Sequence, residues 1–415
     1  MMVRLVKPEQ QHSVYDPCVG SGGMLILAKE YIDEHGGDGT RADLCGQEAN
    51  GTVWSIAKMN MLLHGISTAD LRNEDTLAEP QHVEGGELMR FDRVLSNPPF
   101  SINWGTADTD RAGQSVWAPK FRAERFRYGE VPLGSKKADL MFLQHMLAVT
   151  RDGGMIATVM PHGVLFRGNA EATIRKSLVK RGYIKAIIGL PANLFYGTGI
   201  PACLIVLDKK EAATRSGIFM IDASRGFMKD GPKNRLREMD IHRIVDVFRR
   251  GQDVPKYARM VSRDEIEKND CNLNLPRYID STEPEDLQDI SAHLLGGIPE
   301  PDIDALAQYW ELFPGLRQRL FAPSGRPGYS ELQTPSSDIR STIFADAEFA
   351  AFTEIVHAVF ARWQADNLPH LKSIAAGSKP KALIETLSED LLRAFAGVRL
   401  IDKYDVYQQL MVYWT

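Results

Sequence analysis

Residues 91–100, FDRVLSNPPF, constrain this chain more than any other stretch. Phe91, Val94 and Leu95 have the apolar density of a buried strand, and Pro98 and Pro99 bring no N–H to a sheet ladder, so the strand must stop at Asn97. A residue before proline is driven into extended backbone, which holds Asn97 and Pro98 stiffly, with the Asn amide and the Pro98 carbonyl able to face one way. Two such acceptors suit a planar NH2 group, because the hydrogen bonds they accept draw the nitrogen lone pair out of ring conjugation as it becomes a nucleophile. Phe100 is then available to stack on the ring that carries the amino group. On its own the tetrapeptide is equally a strand-ending turn, and the chain before it has to decide between the two readings.

Residues 13–27, SVYDPCVGSGGMLIL, predict a strand ending at Asp16, a tight turn, and a helix running to about Glu34. Gly20, Gly22 and Gly23, with Ser21 between them, let the backbone turn sharply and approach a ligand, and the helix start offers free N–H groups. The pattern is not GxGxxG, which argues against a dinucleotide dehydrogenase. Residues 42–48 predict a second strand. It ends on Glu48, near the interval at which a carboxylate meets ribose hydroxyls in mononucleotide-binding units. Glu48 is also placed as an ordinary N-terminal acid for a helix over residues 49–64. Residues 68–76 predict a third strand and turn carrying Asn73, Glu74 and Asp75. With residues 91–97 as the fourth strand, these βα steps build an α/β fold, a Rossmann-like parallel sheet with its site at the carboxyl edge.

Downstream, residues 101–137 form a long polar segment in which Trp104, Trp117, Phe121, Phe126 and Tyr128 alternate with Lys120, Arg122, Arg125, Arg127, Lys136 and Lys137. Cations interleaved with rings suit nucleic acid, the rings for stacking and the cations for phosphate. The alternative is a solvated lid with its rings packed beneath it. A helix is predicted over 137–149, then strands over 153–160, 183–190 and 202–207, the last two joined by a hairpin-like return through PANLFYGTGIP. Gly217–Asp222 reads as a further edge strand. Residues 225–237 carry enough cations to form a second candidate phosphate surface, or a solvated loop. His162, alone at a strand end, reads as structural.

The net charge of −5 over 415 residues excludes a small, wholly basic nucleic-acid binder, so any DNA contact must use local cationic surface. Cys18, Cys45, Cys203 and Cys271 are scattered and read as reduced thiols, without metal-binding spacing. With no signal-peptide pattern and no apolar run of transmembrane length, the chain is expected to be cytoplasmic, with no membrane partner. Residues 281–300 read as an acidic linker, followed by helices over 303–320, 346–365, Pro380–Phe395 and 402–413.

From Tyr15 to Tyr278 the ordered stretches DPCVGSGGML, GQE, SNPPF, ADLMFLQHML, GLPANLFYGTGIPACLIVL, FMIDASRGF and NDCNLNLPRYID resemble the modification (M) subunit of Type I restriction-modification systems, an N6-adenine DNA methyltransferase. The resemblance implies S-adenosyl-L-methionine as methyl donor. It assigns Asp16, Gly20, Ser21, Gly22, Gly23, Glu48 and Asp75 to the donor, and Asn97, Pro98, Pro99 and Phe100 to the reacting amino group. It implies double-stranded DNA and a specificity (S) subunit as partners, joined in a full system by a restriction (R) subunit. The expected organisation is a catalytic domain over 1–280, a linker over 281–300 and a helical tail over 301–415 that either contacts a partner subunit or caps the catalytic domain. Members of the family carry a helical domain and an aromatic-Thr-Pro-Arg segment ahead of the first strand, and they have Asn after the proline where His162 stands. This chain opens at MMVRLVKP, so it is expected to lack that domain. Two other readings stay open at this point: an amino-methyltransferase acting on a protein glutamine or on RNA, and a donor-binding assembly subunit inactive as this chain alone.

Overall fold

The computed structural model describes residues 1–196, 198–282 and 288–414, and the chain divides into two units, Met1–Thr282 and Glu283–Thr415. The first unit is built on one nine-stranded sheet. In chain order its strands are β1 (Ser13–Asp16), β2 (Asp43–Glu48), β3 (Asp70–Asn73), β4 (Phe91–Ser96), β5 (Thr150–Pro161), β6 (Ile184–Gly189), β7 (Ala202–Asp208), β8 (Gly217–Asp222) and β9 (Ala258–Ser262). Across the sheet they lie in the order β9-β8-β6-β7-β5-β4-β1-β2-β3. The run from β3 to β5 is parallel, as is β6 with β8, while β7 pairs antiparallel with both β5 and β6. This is the mixed, mostly parallel sheet of a Rossmann-like α/β fold.

Strand character follows from composition. β7 (ACLIVLD) and β8 (GIFMID) are buried at every position, as expected for strands covered on both faces. The chain steps outward from β1 through β2 to β3 and then returns to place β4 on the other side of β1, so the loops after β1 and β4 open side by side at the carboxyl edge. The sheet supports the expected strands with boundary shifts of a few residues. One expectation is corrected: Gly217–Asp222 is not an edge strand, because Ala258–Ser262 pairs antiparallel along its outer side. That strand escapes a sequence reading because only Ala258 and Val261 of its five residues are buried.

Residues 101–137 behave as a packed segment. Trp104 is fully buried and meets Trp117 and Phe126 edge-on, with ring centroids 5.6 and 4.7 Å away. Its indole N–H reaches Glu130 at 3.3 Å. The backbone returns to its own start, since Ala138 N–H donates to the Ile102 carbonyl at 3.2 Å. The rings therefore lie beneath the segment rather than on its surface.

In the second unit, residues 283–287 of the expected linker lie outside the described residues. The remainder is not simple linker: Ile290–Leu295 is helical under an Asp289 cap, and Ile298–Pro299 pairs with Tyr329–Ser330 in a three-stranded sheet completed by Phe321–Pro323. The single helix expected over 303–320 is three short ones, Glu300–Asp304, Ala307–Trp310 and Pro314–Leu320. Pro314, which has no N–H to continue a helix, starts the last of them. Long helices follow at Ala347–Lys372, Pro380–Phe395 and Lys403–Trp414. Trp104→Ala should lower the stability of the first unit by about 3 to 5 kcal/mol, the cost of emptying an aromatic core site, read from denaturant unfolding. A loss under about 1 kcal/mol would mean that the segment is not anchored by its rings.

Candidate active site

At the carboxyl edge, buried hydrogen bonds join the strand ends. Asp16, at the end of β1, accepts from the Cys18 N–H and from the Ser96 hydroxyl, each at 3.0 Å, so the glycine turn and the strand leading into Asn97 share one carboxylate. The turn is also laced to β2: Val19 N–H donates to the Gln47 carbonyl at 2.9 Å, and Gly20 N–H to the Glu48 carboxylate at 3.1 Å. The second Glu48 oxygen accepts from Asn50 N–H at 3.0 Å. Gly22 caps the following helix at φ +86°, a conformation that favours glycine. Gly46 is needed for a different reason: a Cβ there would stand 2.8 Å from Val19, which lies across β2.

Asp75 lies one turn beyond β3, where it accepts from Leu77 N–H at 2.8 Å, and the neighbouring Thr76 hydroxyl donates to the Pro17 carbonyl at 2.6 Å. The structure thus gathers Asp16, Gly20, Ser21, Gly22, Gly23, Glu48 and Asp75 around one edge of the sheet, next to the end of β4. There Pro98 is buried, Asn97 and Pro99 are exposed, and Phe100 is half-buried. Among the described residues the Asn97 side chain has no hydrogen-bonding partner, so both its donor and its acceptor remain available.

Several positioning residues were not singled out from the sequence. Ser96 is the residue that ties the two loops together. Asp139, buried at the start of the helix Asp139–Ala148, accepts from Ser101 N–H at 2.8 Å and so fixes the backbone leaving Phe100, where Ser101 holds φ +53°. Burial pushes the Asp139 carboxyl up, with Arg167 3.6 Å away as its cationic neighbour. Phe195, in the return between β6 and β7, meets Phe100 edge-on at 5.9 Å. Gly197 of that return lies outside the described residues. Their only sequence signal was to lie inside stretches that carry the family resemblance, Ser96 in SNPPF, Asp139 in ADLMFLQHML and Phe195 in GLPANLFYGTGIPACLIVL.

The cationic residues sort differently from the sequence reading. Arg125 is corrected: it is 1% exposed, and its guanidinium donates to the carbonyls of Lys120, Thr76 and Leu77 at 2.8 to 3.0 Å, so it cannot grip phosphate. Burial pulls its pKa down to about 10. Lys120 pairs with Glu79, Arg122 makes a two-pronged pair with Glu130 at 2.7 and 3.0 Å, and Lys137 lies 3.6 Å from buried Glu171. Arg127 and Lys136 are exposed. Residues 225–237 contain a small hairpin, Met228–Asp230 with Lys233–Arg235, whose Lys233 ammonium donates to the Phe195 carbonyl at 2.7 Å. Its role in the fold is to hold the loop carrying Phe195.

His162 is half-buried at the end of β5, and burial lowers its pKa, which keeps the ring neutral. All four cysteines are free thiols. Cys45, Asp70 and His82 bring potential ligand atoms within 4.8 Å of one another, but Asp70 is already engaged by Arg72 at 3.0 Å. Among the described residues no helix is long and apolar enough to cross a membrane.

The sheet order, the glycine turn on β1 and the Asn-Pro-Pro-Phe turn on β4 define a methyltransferase-like protein. A family model, N-6 DNA Methylase, matches residues 1–287, and the chain belongs to that family. It is 34% identical over 294 residues to the Type I restriction enzyme MpnII methylase subunit of Mycoplasma pneumoniae, covering 69% of this chain and 52% of the relative. It is likewise 34% identical over 301 residues to the MjaVII methylase subunit of Methanocaldococcus jannaschii, covering 71% and 50%. The crystal structure of a Type I restriction-modification system methyltransferase subunit from Streptococcus thermophilus superposes with a TM-score of 0.59 at 37% identity, covering 67% of this chain and 57% of that one. The chain spans about half the length of these two curated relatives.

The electrostatics of Asp16 give a test of the site. Burial is the largest influence on it and raises its pKa from 3.8 to about 7, against the lowering effect of its bonds from Cys18 and Ser96. Because the folded state then holds the proton more tightly than the unfolded chain, stability falls as pH rises from about 4 to about 7 and levels off above. Asp16→Asn should remove this part of the slope, seen by comparing unfolding free energies at pH 5 and pH 8. An unchanged slope would mean that Asp16 titrates as an exposed carboxyl.

Proposed function

We propose that this chain transfers a methyl group from S-adenosyl-L-methionine to the N6 amino group of adenine in double-stranded DNA, as the M subunit of a Type I restriction-modification assembly with a specificity subunit. The observation that carries the reading is the unpartnered Asn97 amide beside buried Pro98, tied through Ser96 and Asp16 to the glycine turn. The residues present fit the donor. The turn offers backbone groups at a helix start, Glu48 would supply a carboxylate for the ribose hydroxyls, and Asp16 is a buried acid with no cation bonded to it among the described residues, so a cationic ligand nearby would draw it into its charged form.

When bound, the donor supplies an electrophilic methyl group, and the protein's task is alignment and exclusion of water. Asn97 and the Pro98 carbonyl accept the two amino hydrogens and hold the nitrogen lone pair on the line of attack. Phe100 stacks on the flipped base, with Phe195 setting its edge. Asp139 holds the backbone on the far side of Phe100. The N–CH3 bond would form as the S–CH3 bond breaks, leaving a neutral thioether, and the methylated nitrogen would then shed its extra proton to water; no strong base is required before attack, which leaves His162 a structural role.

Contacts to DNA phosphate in this reading come from Lys120, Arg122, Lys136 and Lys137, all but Lys136 exchanging a carboxylate partner for phosphate. The helical second unit is assigned to partner contact, supported by exposed Ile355, Phe360 and Leu368 along its longest helix. Asn97→Ala should reduce methyl transfer to DNA by at least a hundredfold in the assembled complex while leaving donor affinity unchanged, read by transfer of labelled methyl to adenine. Transfer at the parent rate sinks the assignment, and label on glutamine or RNA instead changes the substrate. Neutralising Lys120, Arg122 and Lys136 while sparing Arg125 should flatten the salt dependence of duplex binding by up to about one log–log unit per lost contact, without altering which sequence is methylated. An unchanged salt slope would put the DNA path elsewhere.

A further inference from the structure

At the amino edge of the sheet, the opposite end of the strands from Asn97, lies a cavity of about 650 Å³. Cations from four separate parts of the chain meet there. Arg90 stands immediately before β4, Arg127 comes from the packed segment, Lys180 and Arg181 end the helix Asn169–Lys180, and Lys209 follows β7. Counting buried Arg125, six cationic side chains and two carboxylates, Glu124 and Asp152, line it, a net charge of four positive in a chain whose total is −5.

The carboxylates do not use up this charge. Arg90 lies 3.7 Å from Glu124, whereas Arg127 donates at 3.1 Å to the Glu124 backbone carbonyl rather than to its carboxylate. Arg181 covers the Tyr128 ring at 4.8 Å. Burial, reinforced by Arg90 and Arg127 and opposed by Asp152, lowers the Lys209 pKa, so these cations crowd one another. Like charges held together in a concave, partly desolvated site stabilise a multivalent anion more than they stabilise one another.

We infer that this cavity binds a small anion carrying two or more linked phosphates, such as the phosphate chain of a nucleotide. The chain length follows from the arrangement. With Arg125 set aside, because its guanidinium is committed to backbone carbonyls, five cations from four segments against two carboxylates leave a net of three positive, more than one phosphate engages and suited to a di- or triphosphate. A ligand there is remote from the amino-group site, since β4 alone spans six residues, about 20 Å, between Arg90 and Asn97.

The test is calorimetric titration of the full chain at low salt with tripolyphosphate and, separately, with orthophosphate. Tripolyphosphate should bind at one site at least tenfold more tightly than orthophosphate. Its affinity should fall at least tenfold in the double variant Lys180→Gln/Arg181→Gln, whose altered residues are exposed at a helix end, and also fall in Arg90→Gln. Binding of S-adenosyl-L-methionine should be unchanged in all of them, which separates failure here from failure of the proposed function. No tripolyphosphate heat, parental affinity in the double variant, or displacement of tripolyphosphate by a short DNA duplex would each overturn the assignment, the last by giving these cations to a nucleic-acid backbone.

Discussion

The arrangement of the carboxyl edge depends on one buried carboxylate. Asp16 accepts from the Cys18 backbone and the Ser96 hydroxyl at the point where the sheet order turns back on itself, so the glycine turn and the Asn-Pro-Pro-Phe turn cannot shift independently. In a dry setting such bonds are strong because their loss leaves unpaired polar groups, and the same dryness raises the acid's own pKa to about 7. A parallel sheet alone would bring β1 and β4 together. The carboxylate determines how their loops face each other.

The segment after Phe100 adds a second level of control. Its rings are its anchor and its one buried arginine is a clamp: Arg125 holds the carbonyls of Thr76 and Leu77, directly beside Asp75, while Asp139 holds Ser101 directly beside Phe100. The segment therefore touches the strand ends on both sides of the site. Charge that looked available for nucleic acid is partly committed to this architecture. The exposed pairs Lys120–Glu79 and Arg122–Glu130 remain exchangeable, because surface ion pairs contribute little to stability.

The amino edge follows a different logic. Cations at the end of the helix Asn169–Lys180 complement its dipole, which accounts for Lys180 and Arg181 individually. It does not account for Arg90, Arg127 and Lys209 converging on them from other parts of the chain. Convergence of this kind arises only when the strands are ordered as they are here, with β4, β5 and β6 presenting their starts on one side and β7 its end.

The sequence by itself determined the local events: the strand endings at Asp16 and Glu48 and just before Asn97, the glycine turn, and the stiff Asn-Pro pair, because proline, glycine and apolar runs act through backbone geometry within a few residues. It also carried the family, through the order of those motifs. What only the tertiary structure decided depends on partners far along the chain. Arg125 is indistinguishable from Arg122 in composition, yet one is buried against carbonyls nearly 50 residues away and the other is exposed. Ala258–Ser262 has too few apolar residues to announce a strand and becomes one because β8 leaves an edge to pair. Side-chain fate of this kind is set by which segments the fold brings together, and pairings across tens of residues leave no periodicity to read.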